Sequence, residues 1–341
     1  MRKYLSIAAA AALLSAGVTL APTAATTAAQ AADTTLRITL QLPLKSHLGQ
    51  NLILFKNEIE KTSNGGIEVQ IYDSAQLYKD KQVPQAVGSG AIEMGVASLT
   101  RFVGDVPAVD IFYQPFMFNS DDLVRKATAK DSPVRGPLDA AILKQTGARV
   151  LWWQAYGSAV MLSKGDPVST PDMIKDKKVR VFGKTLGEFV KSCGGAPTLV
   201  SGSEQYLAYQ RGTVDVGMTG VSGVTARKLW DVMDTITRTQ HADIEFVVVV
   251  NDKFWNGLSE ANRKIISDAA ALADDAVRND IAQIEKDAYA ASLENGMKIV
   301  DPTAGQIDAW RACSKPVYDQ FATDAGALGK EVMDAAVKLQ K

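Results

Sequence analysis

The sequence is poor in the residues that most often carry chemistry. Its 341 residues include two histidines, His47 and His241, and two cysteines, Cys193 and Cys313. So few, so widely spaced, cannot build a structural zinc site. The short motifs of catalysis and nucleotide binding are missing: there is no G-x-S-x-G, H-E-x-x-H, C-x-x-C, phosphate loop or dinucleotide fingerprint. Gly217-Met218-Thr219-Gly220 follows a strand-like stretch but lacks the fingerprint's spacing. Charge of neither sign dominates. The formal net charge is −1, which argues against a nucleic-acid partner. Beyond residue 31 no apolar run reaches the ~18 residues of a membrane span. These absences predict a protein that is not an enzyme and that uses no cofactor and no metal.

What is present is a globular composition, 46% hydrophobic and 22% charged. Disorder and a disulfide framework are excluded. At about 100–200 residues per domain, the length suggests two domains. Arg2 and Lys3 precede an apolar, small-residue run from Leu5 to Leu20, and an Ala/Thr-rich stretch ends at Ala29-Gln30-Ala31. This is the pattern of a cleaved signal peptide over 1–31. The run is shorter than the ~20 residues a membrane anchor needs. An oxidising destination permits a disulfide between Cys193 and Cys313, with two buried free thiols as the alternative; the sequence does not choose.

Leu36–Leu42 alternates like a strand, and Leu48–Lys61 carries Leu52, Phe55 and Ile59 at helical spacing. Ile67–Ile71 alternates again, a short helix follows around Gln82–Val87, and Ala91–Ser98 reads as a third strand. The order β-α-β-α-β predicts an α/β domain on a parallel sheet. A second series begins at Val150–Trp153. Thr170-Pro171 opens a helical turn, Lys178–Phe182 is a strand, and Thr185–Glu188 and Ser201–Glu204 read as capping boxes. Val214–Met218 and Phe246–Val250 are strands, the latter apolar enough for the centre of a sheet. Ser259 to about Asn295 reads as one long helix that bridges both domains or bends. Asp301-Pro302 caps the last helices.

Most charges, such as Glu58 and Glu60, read as solvated helix faces. Arg180 is different. It sits between apolar neighbours in Val179-Arg180-Val181-Phe182, just before a predicted helix start at Gly183-Lys184-Thr185. A guanidinium there, beside the free N–H groups of a helix end, suits a carboxylate. An edge-strand arginine in a surface ion pair is the competing reading. Phe112–Phe118 and Trp152, Trp153 and Tyr156 form aromatic clusters, read mainly as core.

The stretches Lys178–Val181, Gly194-Gly195-Ala196-Pro197-Thr198 and Ser203-Glu204-Gln205-Tyr206 through Val214-Asp215 together resemble a known family. Supporting pieces are Gln76-Leu77, Gly90–Met94, Pro115–Phe118 and Val250-Asn251 before Trp255 and Leu258. Over its mature length the chain resembles the DctP-type solute-binding proteins of TRAP (tripartite ATP-independent periplasmic) transporters. The resemblance implies a periplasmic protein with two α/β lobes of mixed sheets flanked by helices. A ligand cleft lies between them and a long helix bridges both. Lobe I is expected over 32–156 plus about 244–285, lobe II over 157–243 plus about 286–341. It further implies an organic acid as ligand, and a small and a large integral membrane subunit as partners. Arg180 would pair with the ligand carboxylate, with Arg101, Gln41, Gln154, Tyr156 and Thr219 lining the cleft. A ligand-sensing periplasmic subunit and a secreted enzyme are the alternative readings.

The chain departs from the family pattern in several places. Gly157-Ser158-Ala159-Val160 stands where some acidic-sugar binders carry a second arginine. Thr219 replaces a frequent asparagine, Val216 a glycine, and the Gly195-Ala196-Pro197 segment is one residue short. Fewer charges and the nearby Trp152 and Trp153 would suit a partly apolar monocarboxylate.

Overall fold

The computed structural model describes residues 33–340; the signal peptide expected over 1–31 lies outside them. The first half of the chain follows the order read from its periodicity: β1 (Thr34–Thr39), α1 (His47–Thr62), β2 (Ile67–Tyr72), α2 (Val83–Gly88) and β3 (Met94–Ser98). β1 lies between β2 and β3 and is parallel to both. α1 starts where Ser46 Oγ accepts from the Gly49 N–H, and its buried stripe includes Leu48, Leu52, Phe55 and Ile59.

α3 (Asp121–Thr128) and α4 (Arg135–Thr146) lead into β4 (Ala148–Ser163), far longer than the Val150–Trp153 segment that its apolar run marked. Then come β5 (Lys178–Val181), α5 (Lys184–Ser192), β6 (Ala196–Leu199), α6 (Gln205–Gln210), β7 (Gly217–Gly220), α7 (Val221–Arg227) and β8 (Thr235–Thr237). β9 (Asp243–Asn251), α8 (Asp252–Gly257), α9 (Glu260–Glu294), β10 (Lys298–Val300) and α10 (Ala304–Leu339) complete the chain.

The main sheet runs β10-β8-β4-β9-β3-β1-β2, with β7 also paired to β4; β5 and β6 form a separate parallel pair. β9 is antiparallel to both neighbours, so the sheet is mixed, not purely parallel as the first half suggested. Every residue of β9 is buried, as a central strand requires. β4 serves two halves of the sheet. Residues Ala148–Ser158 pair with β9, whereas Ala159–Ser163 pair with β7 and β8. Two apolar clusters accompany this change. The larger holds Trp152 and Trp153; the smaller gathers Val160, Leu162, Val224 and Ile236.

α9 spans 35 residues, roughly 50 Å at ~1.5 Å per residue. It is capped by Ser259 and packs on α1, β4 and α7. α10 starts at a Thr303–Gln306 capping box, not at Asp301-Pro302, and is kinked at Gly326. Cys193, just after α5, is disulfide-bonded to Cys313 on α10, which settles the alternative left open by the sequence. Three local expectations shift. Gly183, not Thr185, is the N-cap of α5; no side-chain cap forms at Ser201; and the strand expected from Val214 begins at Gly217, Val216 making only a bridge to Val179.

Candidate functional site

A pocket opens where the ends of β1, β3, β5 and β7 meet β4, β9 and α7. β9 contributes Ile244 and Phe246, and β5 leads into Phe182, giving an apolar wall. Into the same space come Gln41 after β1, Arg101 in the short turn after β3, Tyr156 of β4, Arg180 of β5 and Thr219 of β7. Five of the six residues expected to line the cleft are therefore brought together.

Arg180 is 3% exposed. Its Nε and Nη2 donate to the Val200 carbonyl at 3.1 and 2.9 Å, and Nη1 donates to the Met218 carbonyl. Carbonyls fix its orientation without cancelling its charge. Among the described residues no carboxylate lies within salt-bridge distance of Arg180 or of Arg227, at the end of α7. Burial lowers the Arg180 pKa to about 10, and the neighbouring Arg227 and Arg101 push the same way. An anion in the pocket relieves that penalty.

Arg227 and Asp80 carried no signal in the sequence beyond being charged. Arg227 Nη1 lies 3.5 Å from Tyr156 Oη, and its buried Nε has no partner. Two glycines make room for it. A Cβ on Gly223 would stand 2.5 Å from Tyr156 Oη and 2.6 Å from Arg227 Nη1; one on Gly202 would stand 2.7 Å from Arg227 Nη2 and 2.8 Å from Gln41 Oε1. Asp80 accepts from Arg101 Nε at 2.7 Å, with both side chains buried. The lining thus carries three guanidiniums and one carboxylate.

Gln154 lies outside this lining. Its amide donates to Asn51 Oδ1 at 2.7 Å and to the Leu48 carbonyl, in the core against α1. Gln154 pairs with Phe246 on the same face of the sheet as Tyr156, but α1 covers it there. Trp152 and Trp153 are also core residues, donating to Asn51 and Asp139, and the pocket is richer in charge than a partly apolar monocarboxylate would need. The helix end near Arg180 is not open to a ligand either: Thr185 N–H donates to Asp110 Oδ2 at 3.2 Å. Among the described residues no three His, Cys, Asp or Glu side chains gather as a metal ion would require.

Comparison with known proteins places the fold. A C4-dicarboxylate-binding periplasmic protein, DctP, of Rhodobacter capsulatus is 29% identical over 284 residues, 82% of this chain and 84% of that one. A Bordetella pertussis extracytoplasmic solute receptor binding pyroglutamic acid superposes with a TM-score of 0.84 at 20% identity, covering 89% of this chain and 99% of its own. A TRAP periplasmic solute-binding protein of Sulfurospirillum deleyianum with bound succinate gives 0.83 at 23% identity, covering 91% and 99%. The family model for bacterial extracellular solute-binding protein, family 7, matches residues 40–324. The chain therefore belongs to the family 7 extracellular solute-binding proteins.

Proposed function

We propose that this protein captures a small organic acid in the Arg180 pocket without transforming it, and delivers it to the small and large membrane subunits of a TRAP-type transporter. The observation that carries the reading is Arg180 itself: a buried guanidinium held by carbonyls, facing a cavity, with no acid of its own. A ligand carboxylate completes it with a charge-assisted pair. The ligands of the relatives named above, a C4-dicarboxylate, succinate and pyroglutamic acid, all carry such a group.

In this reading the mature protein begins after residue 31 and works in the periplasm. Lobe I comprises 32–156 with about 244–285, lobe II 157–243 with about 286–341. The switch of β4 between two halves of the sheet supports that division. Segments assigned to different lobes also approach closely, as in a closed cleft. Lys79 Nζ lies 2.6 Å from Glu204 Oε1, and a Cβ on Gly183 would fall 2.4 Å from Thr100 Oγ1. Calorimetric titration with a panel of mono- and dicarboxylic acids tests the function. Wild type binds at least one of them, and Arg180→Met, folded by its melting curve, binds about thirty- to several-thousand-fold more weakly. Equal affinities in the two proteins would move the ligand to another site.

A further inference from the structure

We infer that Asp80 makes the pocket selective for an acid that also carries a hydrogen-bond donor, a hydroxyl or an N–H, rather than for a carboxylate alone. The inference rests on the organic-acid reading above and sharpens it.

Asp80 is 1% exposed. Arg101 Nε takes its Oδ2 at 2.7 Å; its Oδ1 is buried, has no partner and belongs to a residue lining the cavity. An ionised carboxylate only accepts, so the free oxygen is completed by a donor and by nothing else. Carboxylates of this molecule pair with arginine in two ways: Asp252 gives Arg149 one oxygen, whereas others give both. Glu93 accepts from Arg37 Nε and Nη2, each at 2.7 Å, and Glu245 accepts from Arg278 Nη1 and Nη2 at 2.6 and 2.8 Å. That two-point fork is the stronger arrangement. Asp80 forgoes it and leaves one oxygen over.

The consequence is selection in both directions. A donor on the ligand meets an ionic acceptor in a dry site and gains a strong hydrogen bond. A ligand that presents a carbonyl or a second carboxylate there sets oxygen against oxygen, and is repelled. Arg180 and Arg227 remain for the anionic end, and Arg227 Nε is a buried donor still lacking an acceptor. The buried loose ends of the pocket are thus of both kinds, and a plain aliphatic acid satisfies only one.

The experiment is titration calorimetry of the full mature protein with matched acids. Propionate, lactate and pyruvate form one set; glutarate, 2-hydroxyglutarate and 2-oxoglutarate another; further hydroxy acids carry the hydroxyl at each other carbon. In wild type the best hydroxy acid is expected to bind about tenfold or more tighter than its deoxy and keto counterparts. Asp80→Asn can keep its carbonyl on Arg101 and turn its NH2 into the cavity, so the preference collapses or shifts to the keto acid. Wild-type affinities that ignore the hydroxyl overturn the inference, and this measurement needs no variant. So does an Asp80→Asn protein, folded by its melting curve, that keeps the wild-type preference. If acids bind and Arg180→Met loses them while the hydroxyl makes no difference, the inference alone falls. If no acid binds wild type, the organic-acid reading falls and takes the inference with it.

Discussion

Two groups of buried and half-buried arginines lie on opposite faces of β9. Ile244 and Phe246 face the pocket with Arg180 and Arg227; on the other face Glu245 meets Arg278, and Asp243 lies beside Arg278 and Glu285. Arg278 grips a fully buried Glu245 with two hydrogen bonds, and nearby Arg135 takes Asp274 at 2.8 Å and Asp139 at 3.2 Å. On this face Arg278 and Arg135 each have their acid, and Glu245 together with Asp243 raises the Arg278 pKa despite desolvation. On the pocket face Arg180 and Arg227 have carbonyls, a phenol and empty space. The same side chain thus serves two ends: a closed pair is architecture, and an open one is a place kept for something else.

The comparison breaks most sharply at Arg278. Arg278→Met strands the Glu245 charge in the core, and denaturant unfolding is expected to show a loss of about 3–5 kcal/mol. Ligand affinity of the folded fraction stays put. Arg180→Met should behave in the opposite sense. It strands two carbonyls, costing about 1–2 kcal/mol of stability, while binding suffers the far larger loss given above. Arg180→Lys restores only part of the binding, because an ammonium lacks the fork. If Arg180→Met destabilises as much as Arg278→Met, the distinction between the two faces fails.

Reduction of the Cys193–Cys313 bond sharpens the contrast in another way. The bond closes a loop over 120 positions, and its loss is expected to cost about 2–4 kcal/mol of stability. Neither sulfur lines the pocket, so affinity should change little.

A smaller effect belongs to Glu285, an acid of the architectural face with no arginine of its own. Burial pushes its carboxyl up to about 7 from an ordinary 4.5, and only the Ser158 N–H, at 2.8 Å, opposes this. The folded chain then keeps a proton that the unfolded chain has released. Its contribution to stability falls as pH rises from about 4.5 to about 7 and stays low above that. Relative to Glu285→Gln, wild type should gain stability as pH is lowered from 7 to 5. A wild-type and variant pair with parallel pH profiles would refute the assignment. Smallest is the half-exposed Lys79–Glu204 pair. Glu204→Gln should weaken binding by about 0.2–1 kcal/mol, an effect that salt erases.

The two faces also differ in how far the sequence reveals them. Alternation and helical spacing expose β1, α1, β2 and β9, because local pattern and burial agree there. Arg180 stands out through its apolar neighbours and its family stretch. Arg227 ends a short helix and Asp80 sits within Lys79-Asp80-Lys81-Gln82, and both read as solvated charge. Only the meeting of α7 and the turn after β2 with the strand ends gives them a role. Equally hidden is the cover that α1 lays over Gln154, whose amide is taken by Asn51 and the Leu48 carbonyl. Glu245, the acid that Arg278 grips, lies 33 positions before it in sequence, beyond any periodic signal.

The place of β9 sets the order of events when the chain is made. It pairs on one side with β3 and on the other with β4, both synthesised well before it. Until residue 251 has emerged, β3 and β4 expose bare edges toward a gap that only a later strand can close. Non-local pairing of this kind is slow, and unpaired edges of largely apolar strands are sticky. The growing molecule therefore passes through a long interval in which most of its residues exist and the two parts of its sheet are not yet joined. That interval is when a holding chaperone has the most to gain.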